Sequence, residues 1–535
     1  MKFSHRLRRA LRLRRIPGPS NPCQGLAARA STWRALPGGR RGTPPRHLAW
    51  AASLACASGA FASEPAKQSP GASPVRLETA GPFNSKLRLE VYERVRGEMT
   101  DWFGDPVVQG SVLPKESSYA FMANKFQLGL RFSSEPVEAF VQFQDTVLAG
   151  LPDNGVGLGA VYYANTHHTT ANGATLRQGW AKLKMNDFFL SGGRQLYSDA
   201  AQGAARNKTL KWIQDYRWAQ RLIGPWDYTH TGRSFDGGSL GYVSDDFEVS
   251  GFAFMPTAGG FDINGMSEIS QITVAGATAN LRDSALFGNT LARLSYYYYS
   301  DDRNLVAADN RPEAVRTSTK AEPIEVHTLA LSAAHTLPLG PGVVDGMFYG
   351  FGQVGDWQGL NHGAWAYGVE LGYQLPEVWG SPWLRAGINS GSGDNNPGDG
   401  DHGTFFQMLP TVFLYAQFPF YNMMNNQDVF LQALLKPHPM VNLRMDFHWL
   451  KLNESRDLLY AGSGATNDTF FGYAGTPTGG FDELAYLAHL SVNLKPTDYL
   501  SFNVHYAHAF GQEVIAAQYS DRQGDYAFVE ACLSF

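Results

Sequence analysis

YAFVEACLSF, residues 526–535, alternates strictly. Ala527, Val529, Ala531, Leu533 and Phe535 share one side of an extended chain, and Tyr526, Phe528, Glu530, Cys532 and Ser534 share the other. A period of two is the signature of a strand with one apolar face. A terminal segment is held only when something pairs with it. The stretch therefore predicts a strand bonded to its last residue, as in a closed barrel whose final strand seals against the first.

The same alternation recurs along the chain. LRLEVYERVRGEM (87–99) sets Leu87, Leu89, Val91, Val95 and Met99 against Arg88, Glu90, Arg94, Arg96 and Glu98. NKFQLGLRF sets Phe126, Leu128, Leu130 and Phe132 against Lys125, Gln127 and Arg131. WAYGVELGYQL, VNLRMDFHW and ELAYLAHLSVNL, beginning at Trp365, Val441 and Glu483, repeat the pattern. Candidate strands number about 18, with 16 the nearest alternative, each close to the ~10 residues a barrel crossing needs. Polar stretches at 150–175, 257–290 and 300–322 read as long loops, and 494–500 as a short turn.

Composition separates a membrane barrel from a soluble sandwich. Aromatic residues make up 13% and charged residues only 17%, against about a quarter charged in ordinary soluble domains. Residues 1–46 hold Lys2 and eleven arginines without one acid, and an apolar run, Leu48–Ala62, ends in Ala-Phe-Ala. A basic segment, a short apolar core and an A-x-A site predict a secretory signal peptide cleaved after Ala62. A lipid anchor at Cys56 is the alternative. Taking those twelve basic residues from 44 leaves 32 against 48 acids, a charge of about −16 that argues against nucleic acid. Cys532 is then the sole cysteine, so no internal disulfide forms. An exported chain crossing lipid with strands must close them, because only helices and closed barrels satisfy every backbone polar group there. The expected organisation is a leader over 1–62, a periplasmic tail over 63–86 and an outer-membrane antiparallel β-barrel over 87–535. The tail is too short for a plug domain. A barrel this wide is not filled by its own wall side chains and holds a channel.

Three stretches carry chemistry beyond the wall: SGGRQLYSD (191–199) with QRLIGPWDYTHTGRSFDGGSLGY (220–242), RAGINSGSGDNNPGDGDHGTF (385–405), and LKPHPMVNLRMDFHWLKLNESRDLLYAGSGAT (435–466). The ordered set GRQ, RLIG-x-W, GRSFDG, SGD-x-x-P-x-DG-x-x-GTF, a KP strand start, Arg-x-Asp-x-His and RD-x-x-Y resembles the alginate-export family of outer-membrane porins, from about Leu87 to Phe535. The resemblance implies an 18-stranded barrel whose arginine-lined constriction passes an anionic uronic-acid polymer. It carries over Arg194, Arg221, Arg233 and Asp236 as pore-lining residues, with Arg385 and Arg444. Residues 200–220, with Arg206, Lys208, Lys211 and Arg217, depart from the family pattern as an insertion.

The inward parity independently adds Arg88, Arg94, Arg96, Lys125, Arg131, Lys182 and Lys184, each assignment depending on the absence of a bulge. Arginine suits the task because its planar fork matches carboxylates and keeps its charge. The plainer reading pairs these cations with Glu90, Glu98, Glu370, Asp446 and Glu530 as wall filling. Asp394, Asp399 and Asp401 offer oxygen ligands for calcium, although their Gly/Pro-rich context reads better as a solvated acidic loop, and the family resemblance would allow the segment to fold towards the pore as a gate. Asp446 and His448 share a lumen face, but no serine motif accompanies them, so no enzyme is expected. A passive porin for small anionic or hydrophilic solutes is the competing function. The expected partners are an anionic polysaccharide, outer-membrane lipid, the barrel-assembly machinery and a periplasmic secretion partner.

Overall fold

The computed structural model describes residues 78–80, 85–108, 110–284 and 286–535. The leader, its cleavage site, Cys56 and most of the tail lie outside the described residues. Eighteen long strands form the wall. They are β1 (Lys86–Asp101), β2 (Ser118–Ser133), β3 (Val137–Ala149), β4 (Thr170–Met185), β5 (Phe188–Gln195) and β6 (Phe235–Val243). Next come β7 (Phe247–Pro256), β8 (Ile272–Leu281), β9 (Thr290–Asp301), β10 (Ile324–Leu339), β11 (Gly342–Trp357) and β12 (Leu360–Gln374). The circuit ends with β13 (Trp383–Gly391), β14 (Asn426–His438), β15 (Val441–Leu452), β16 (Glu483–Leu494), β17 (Leu500–Gly511) and β18 (Gln523–Ser534).

Each strand pairs antiparallel with the next, and β18 pairs with β1 from Tyr92 opposite Ser534 to Asp101 opposite Asp525. Phe535 extends that seam, since its N–H donates to the Val91 carbonyl at 2.9 Å. The barrel is closed with 18 strands, and among the described residues each of the eighteen has a partner on both sides. The 257–290 stretch is corrected: it contains β8, ITVAGATANL, whose small side chains give an alternation without bulk.

Parity sorts the wall as the sequence patterns require. On β1, Val95 and Met99 are exposed outward while Arg94, Arg96 and Glu98 are buried inward. On β18, Val529 is exposed and Phe528 and Glu530 are buried. Leu329, Leu331, Leu371 and Leu431 continue the outer apolar surface, which lipid covers.

The connections alternate in length. On the side where β1 begins, turns run from Asn186–Asp187 to segments such as 282–289. The opposite side carries 196–234, 302–323, 392–425 and 453–482, with Gln358–Gly359 a lone tight turn. Bacterial barrels put long loops outside and short turns in the periplasm, so strand β1 starts at the periplasmic rim.

Two of the long loops fold into the barrel. Leu222 and Ile223 of 196–234, with Phe405, Phe406, Met408 and Leu409 of 392–425, join Tyr349 and Phe351 of β11 in one buried cluster. Each such side chain removed from water contributes about 1.5–3 kcal/mol, enough to hold both loops against the wall. Lipid-facing charge tests the parity: Leu431→Arg is expected to cost about 2–4 kcal/mol if it lies near the bilayer midplane. Denaturant unfolding in vesicles measures this, and an unchanged stability would place Leu431 off the lipid face.

Candidate functional site: the loop-filled lumen

Across the lumen the 196–234 and 392–425 loops run side by side. Gly224 N–H donates to the Leu409 carbonyl at 2.8 Å, Leu409 N–H to the Leu222 carbonyl at 2.8 Å, and Thr411 N–H to the Gln220 carbonyl at 2.9 Å. Wall cations receive this crossbar. Arg94 donates to the carbonyls of Asp227 at 3.0 Å and Thr229 at 2.9 Å, Arg96 to that of Tyr228 at 3.0 Å, and Lys125 to that of Asp227 at 3.2 Å. Farther round the same side of the wall, on β15, Arg444 reaches the carbonyl of Tyr415 at 3.0 Å.

Most inward cations also meet acids. Arg96 bonds Glu530 at 2.7 Å and Glu98 at 3.2 Å, and Arg94 lies 3.5 Å from Glu530. Lys125 and Arg177 face Asp227 at 3.6 and 2.6 Å. A second group centres on Glu370 of β12. Arg217 donates to it at 2.6 Å, Arg385 at 3.0 Å and Arg221 lies 3.6 Å away, while Arg385 also pairs with Asp345. Arg221 is held between the rings of Tyr349 and Tyr415, at 4.2 and 3.7 Å from their centroids. At the periplasmic mouth Arg88 and Arg131 share Glu90, and Arg131 and Lys184 share Glu138. Lys182 lies over Phe189.

Arg233 differs. It is buried beside Trp226 in the 196–234 loop; its Nη2 donates to the carbonyls of Ser463 at 2.9 Å and Ala465 at 3.1 Å, and its Nη1 has no partner. Among the described residues no carboxylate pairs with it. Burial pulls its pKa down to about 10, which leaves it charged at neutral pH.

Other expected site residues are placed elsewhere. Arg194 and Asp236 share the parity of Leu190 and Leu240, which face outward, so this pair belongs to the outer parity at the rim instead of the lumen. Arg194 Nε donates to Asp236 at 2.7 Å and its Nη1 to the Met266 carbonyl at 2.6 Å. Arg444 is inward and donates to Asp446 at 2.6 Å. Asp394, Asp399 and Asp401 do not converge as one ligand group among the described residues. Asp394 is buried and accepts the Asn396 N–H, whereas Asp399 and Asp401 are exposed, and Asp399 accepts the Asp401 N–H.

Some lumen cations escape sequence reasoning. Arg177 is the extra residue of a bulge in β4, where Gln142 pairs with Gln178 and Phe143 with Leu176. Arg217 sits in a π-helical turn, Gln214–Trp218, that follows the helix Lys208–Ile213 inside the 200–220 insertion. The helix start is legible, since Asn207 accepts from the N–H groups of Thr209 and Leu210. Arg293 of β9 was open to detection, because Leu291, Arg293, Ser295 and Tyr297 alternate in the sequence and are buried together.

The profile of the alginate export family matches residues 115–530. This chain belongs to the alginate export family. No curated protein sequence matches it. Among solved structures it is similar to OccAB2 of Acinetobacter baumannii, with 10% identity, 84% of this chain and 98% of that chain covered, and a TM-score of 0.52. It is also similar to OccK2 (OpdF) of Pseudomonas aeruginosa, solved with glucuronate, with 9% identity, the same coverage and a TM-score of 0.51. These likenesses show a porin fold. A member of the alginate export family with this barrel is an outer-membrane transport channel, and its lumen is where transport chemistry resides.

Two predictions concern loop docking. Glu370→Gln leaves three guanidinium groups around a neutral amide and is expected to cost about 3–5 kcal/mol, read by denaturant unfolding; a neutral result would mean that Arg217 and Arg385 find other acceptors. His230, in the 196–234 loop, donates from Nε2 to Glu98 at 2.7 Å and accepts at Nδ1 from Arg94 at 3.2 Å. Burial lowers its pKa to about 4, with Glu98 opposing and Arg94 and Arg96 reinforcing. The undocked imidazole protonates near 6.5. Docking is therefore expected to be strongest above pH 6.5 and to weaken as pH falls towards 4. Hydrogen exchange of 226–232 checks this, and His230→Gln should flatten the acid-side change.

Proposed function

We propose that the barrel passes an anionic, alginate-like polyuronate, and that lumen guanidinium groups guide its carboxylates. The observation that carries this reading is Arg233, a buried cation with no acid opposite and one unpartnered Nη1. Arg94 and Arg444 support it, because each spends donors on loop carbonyls. A guanidinium–carboxylate bond is charge-assisted and roughly twice as strong as a neutral one. A polymer carboxylate arriving at these arginines therefore displaces the loop carbonyls, and the crossbar yields to cargo. A low-dielectric wall focuses the cationic field and concentrates anions at the entrance. Insertion by barrel-assembly machinery and delivery by a periplasmic partner belong to the same proposal.

One observation favours a second reading, a channel for small anionic solutes. Between the loops and the wall lies a cavity of about 330 Å³ lined by Arg217, Gln432, Arg444 and Ser491, the size of a small carboxylate rather than a chain.

Single-channel recording of the refolded barrel in a planar bilayer separates the two. The polyuronate reading expects anion selectivity, block by oligouronates at lower concentration than by the monomer, and at least a tenfold loss of block in Arg233→Ala. Equal block by monomer and oligomer would favour the small-solute channel, and cation selectivity would overturn both. Deleting 412–421 from the crossbar is expected to raise conductance several-fold.

A further inference from the structure

The wall beside the 392–425 loop holds a group of side chains that polymer passage does not use. Asp446 and His448 are two apart on β15 and share its lumen face, and His489 of β16 stands in register opposite Asp446. All three are buried, and one potential ligand atom from each lies within 4.8 Å of the others.

Their hydrogen bonds are unevenly satisfied. His448 Nδ1 lies 2.8 Å from Asp428 Oδ1 of β14, which places the ring proton on Nδ1 and leaves a lone pair on Nε2. Asp428 is itself held, accepting from Tyr421 Oη at 2.9 Å and Asn389 Nδ2 at 3.2 Å. His448 Nε2 and His489 Nε2 are both buried without a partner. His489 Nδ1 accepts a 3.3 Å contact from the Gln417 N–H and lies 3.9 Å from Asp446 Oδ2. Neighbouring His505 is satisfied at both nitrogens, by Ser491 Oγ at 2.8 Å and the Gln417 carbonyl at 3.0 Å. A buried polar atom left unpaired costs about 1–3 kcal/mol. Two imidazoles with ring centroids 5.1 Å apart, beside a carboxylate, offer a lone pair at His448 Nε2 and, once the long Gln417 contact is released, a second at His489 Nδ1, and so suit a ligand that accepts nitrogen lone pairs.

We propose that Asp446, His448 and His489 bind a divalent transition-metal ion of the zinc type, with Asp428 orienting His448. Two imidazoles and a carboxylate suit zinc, nickel or copper, whereas calcium and magnesium want oxygens alone. A carboxylate fixing the far nitrogen of a metal-bound histidine is the usual supporting partner in such sites. Zinc–nitrogen bonds of about 2.0–2.1 Å in tetrahedral array put ligand atoms roughly 3.3 Å apart. The three groups therefore close by an ångström or so, a side-chain adjustment rather than a wall movement. Arg444 already donates to Asp446 Oδ2 at 2.6 Å and Gln432 Nε2 to Oδ1 at 2.9 Å, and a carboxylate with about four lone-pair sites keeps both bonds while offering a remaining lone pair. Three protein ligands leave a fourth position for water. The ion ties β15 to β16 where the crossbar touches the wall.

The test uses the full barrel, made without a histidine tag, refolded in detergent and stripped with chelator. Zinc alone is titrated by calorimetry, and cobalt is followed by its visible ligand-field absorption. One equivalent of zinc, a tetrahedral cobalt spectrum, and loss of both in His448→Ala and in His489→Ala are expected. Asp428→Asn is expected to weaken affinity about 10–100-fold, and His505→Ala to leave it unchanged. Heat-modifiable migration on gels confirms that each variant is folded. Absence of binding by the folded native barrel, or binding kept in both folded histidine variants, overturns the proposal.

Discussion

Backbone hydrogen bonding in a solvent that offers none is the constraint from which the rest follows. Every wall N–H and C=O must find a strand neighbour, and with eighteen strands the last neighbour of β18 is β1. The seam from Tyr92–Ser534 to Asp101–Asp525 turns a sheet into a barrel. Once closed, parity has only two destinations. Outward residues such as Leu331 and Val529 meet lipid, and inward ones such as Arg96 and Glu530 meet one another.

The interior then has its own problem, because a ring this wide cannot fill itself with wall side chains. Two loops solve it by entering together as a short parallel ladder. Their carbonyls take up arginine donors that the wall acids leave over. Charge inside is therefore of two kinds. Glu370 neutralises its neighbours, whereas the dipoles around Arg233 stabilise a cation without cancelling it.

Strand number, closure and facing were legible because alternation encodes them directly, and the inward placing of Arg94, Arg96 and Lys125 followed from parity, whereas Arg385 came from the family resemblance. What escaped obeys other rules. Arg177 lies in a bulge, which breaks the count by one residue and is invisible to a strict period. Arg194 was read from a motif without its parity; Leu190, four residues earlier, already marks that face as outward. Strand β8 was hidden because alanine, glycine and threonine alternate without a large apolar signal. The 200–220 insertion was seen as sequence, but its reach to Glu370 depends on tertiary placement that local pattern does not contain. The aspartates of 394–401 were gathered by sequence proximity, while the turn directs Asp394 inward and Asp399 and Asp401 outward.

The crossbar is tethered at both ends to rigid strands, 196–234 between β5 and β6 and 392–425 between β13 and β14. Its departure from the wall therefore never becomes a bimolecular separation. A displaced loop remains at high effective concentration over its own docking site, and lengthening a tether changes the closure entropy only slowly. Under the proposed passage, reseating is a first-order event that waits on nothing but the clearing of the lumen. A crossbar displaced in that way would act as a stopper that cannot be lost and needs no energy source to return.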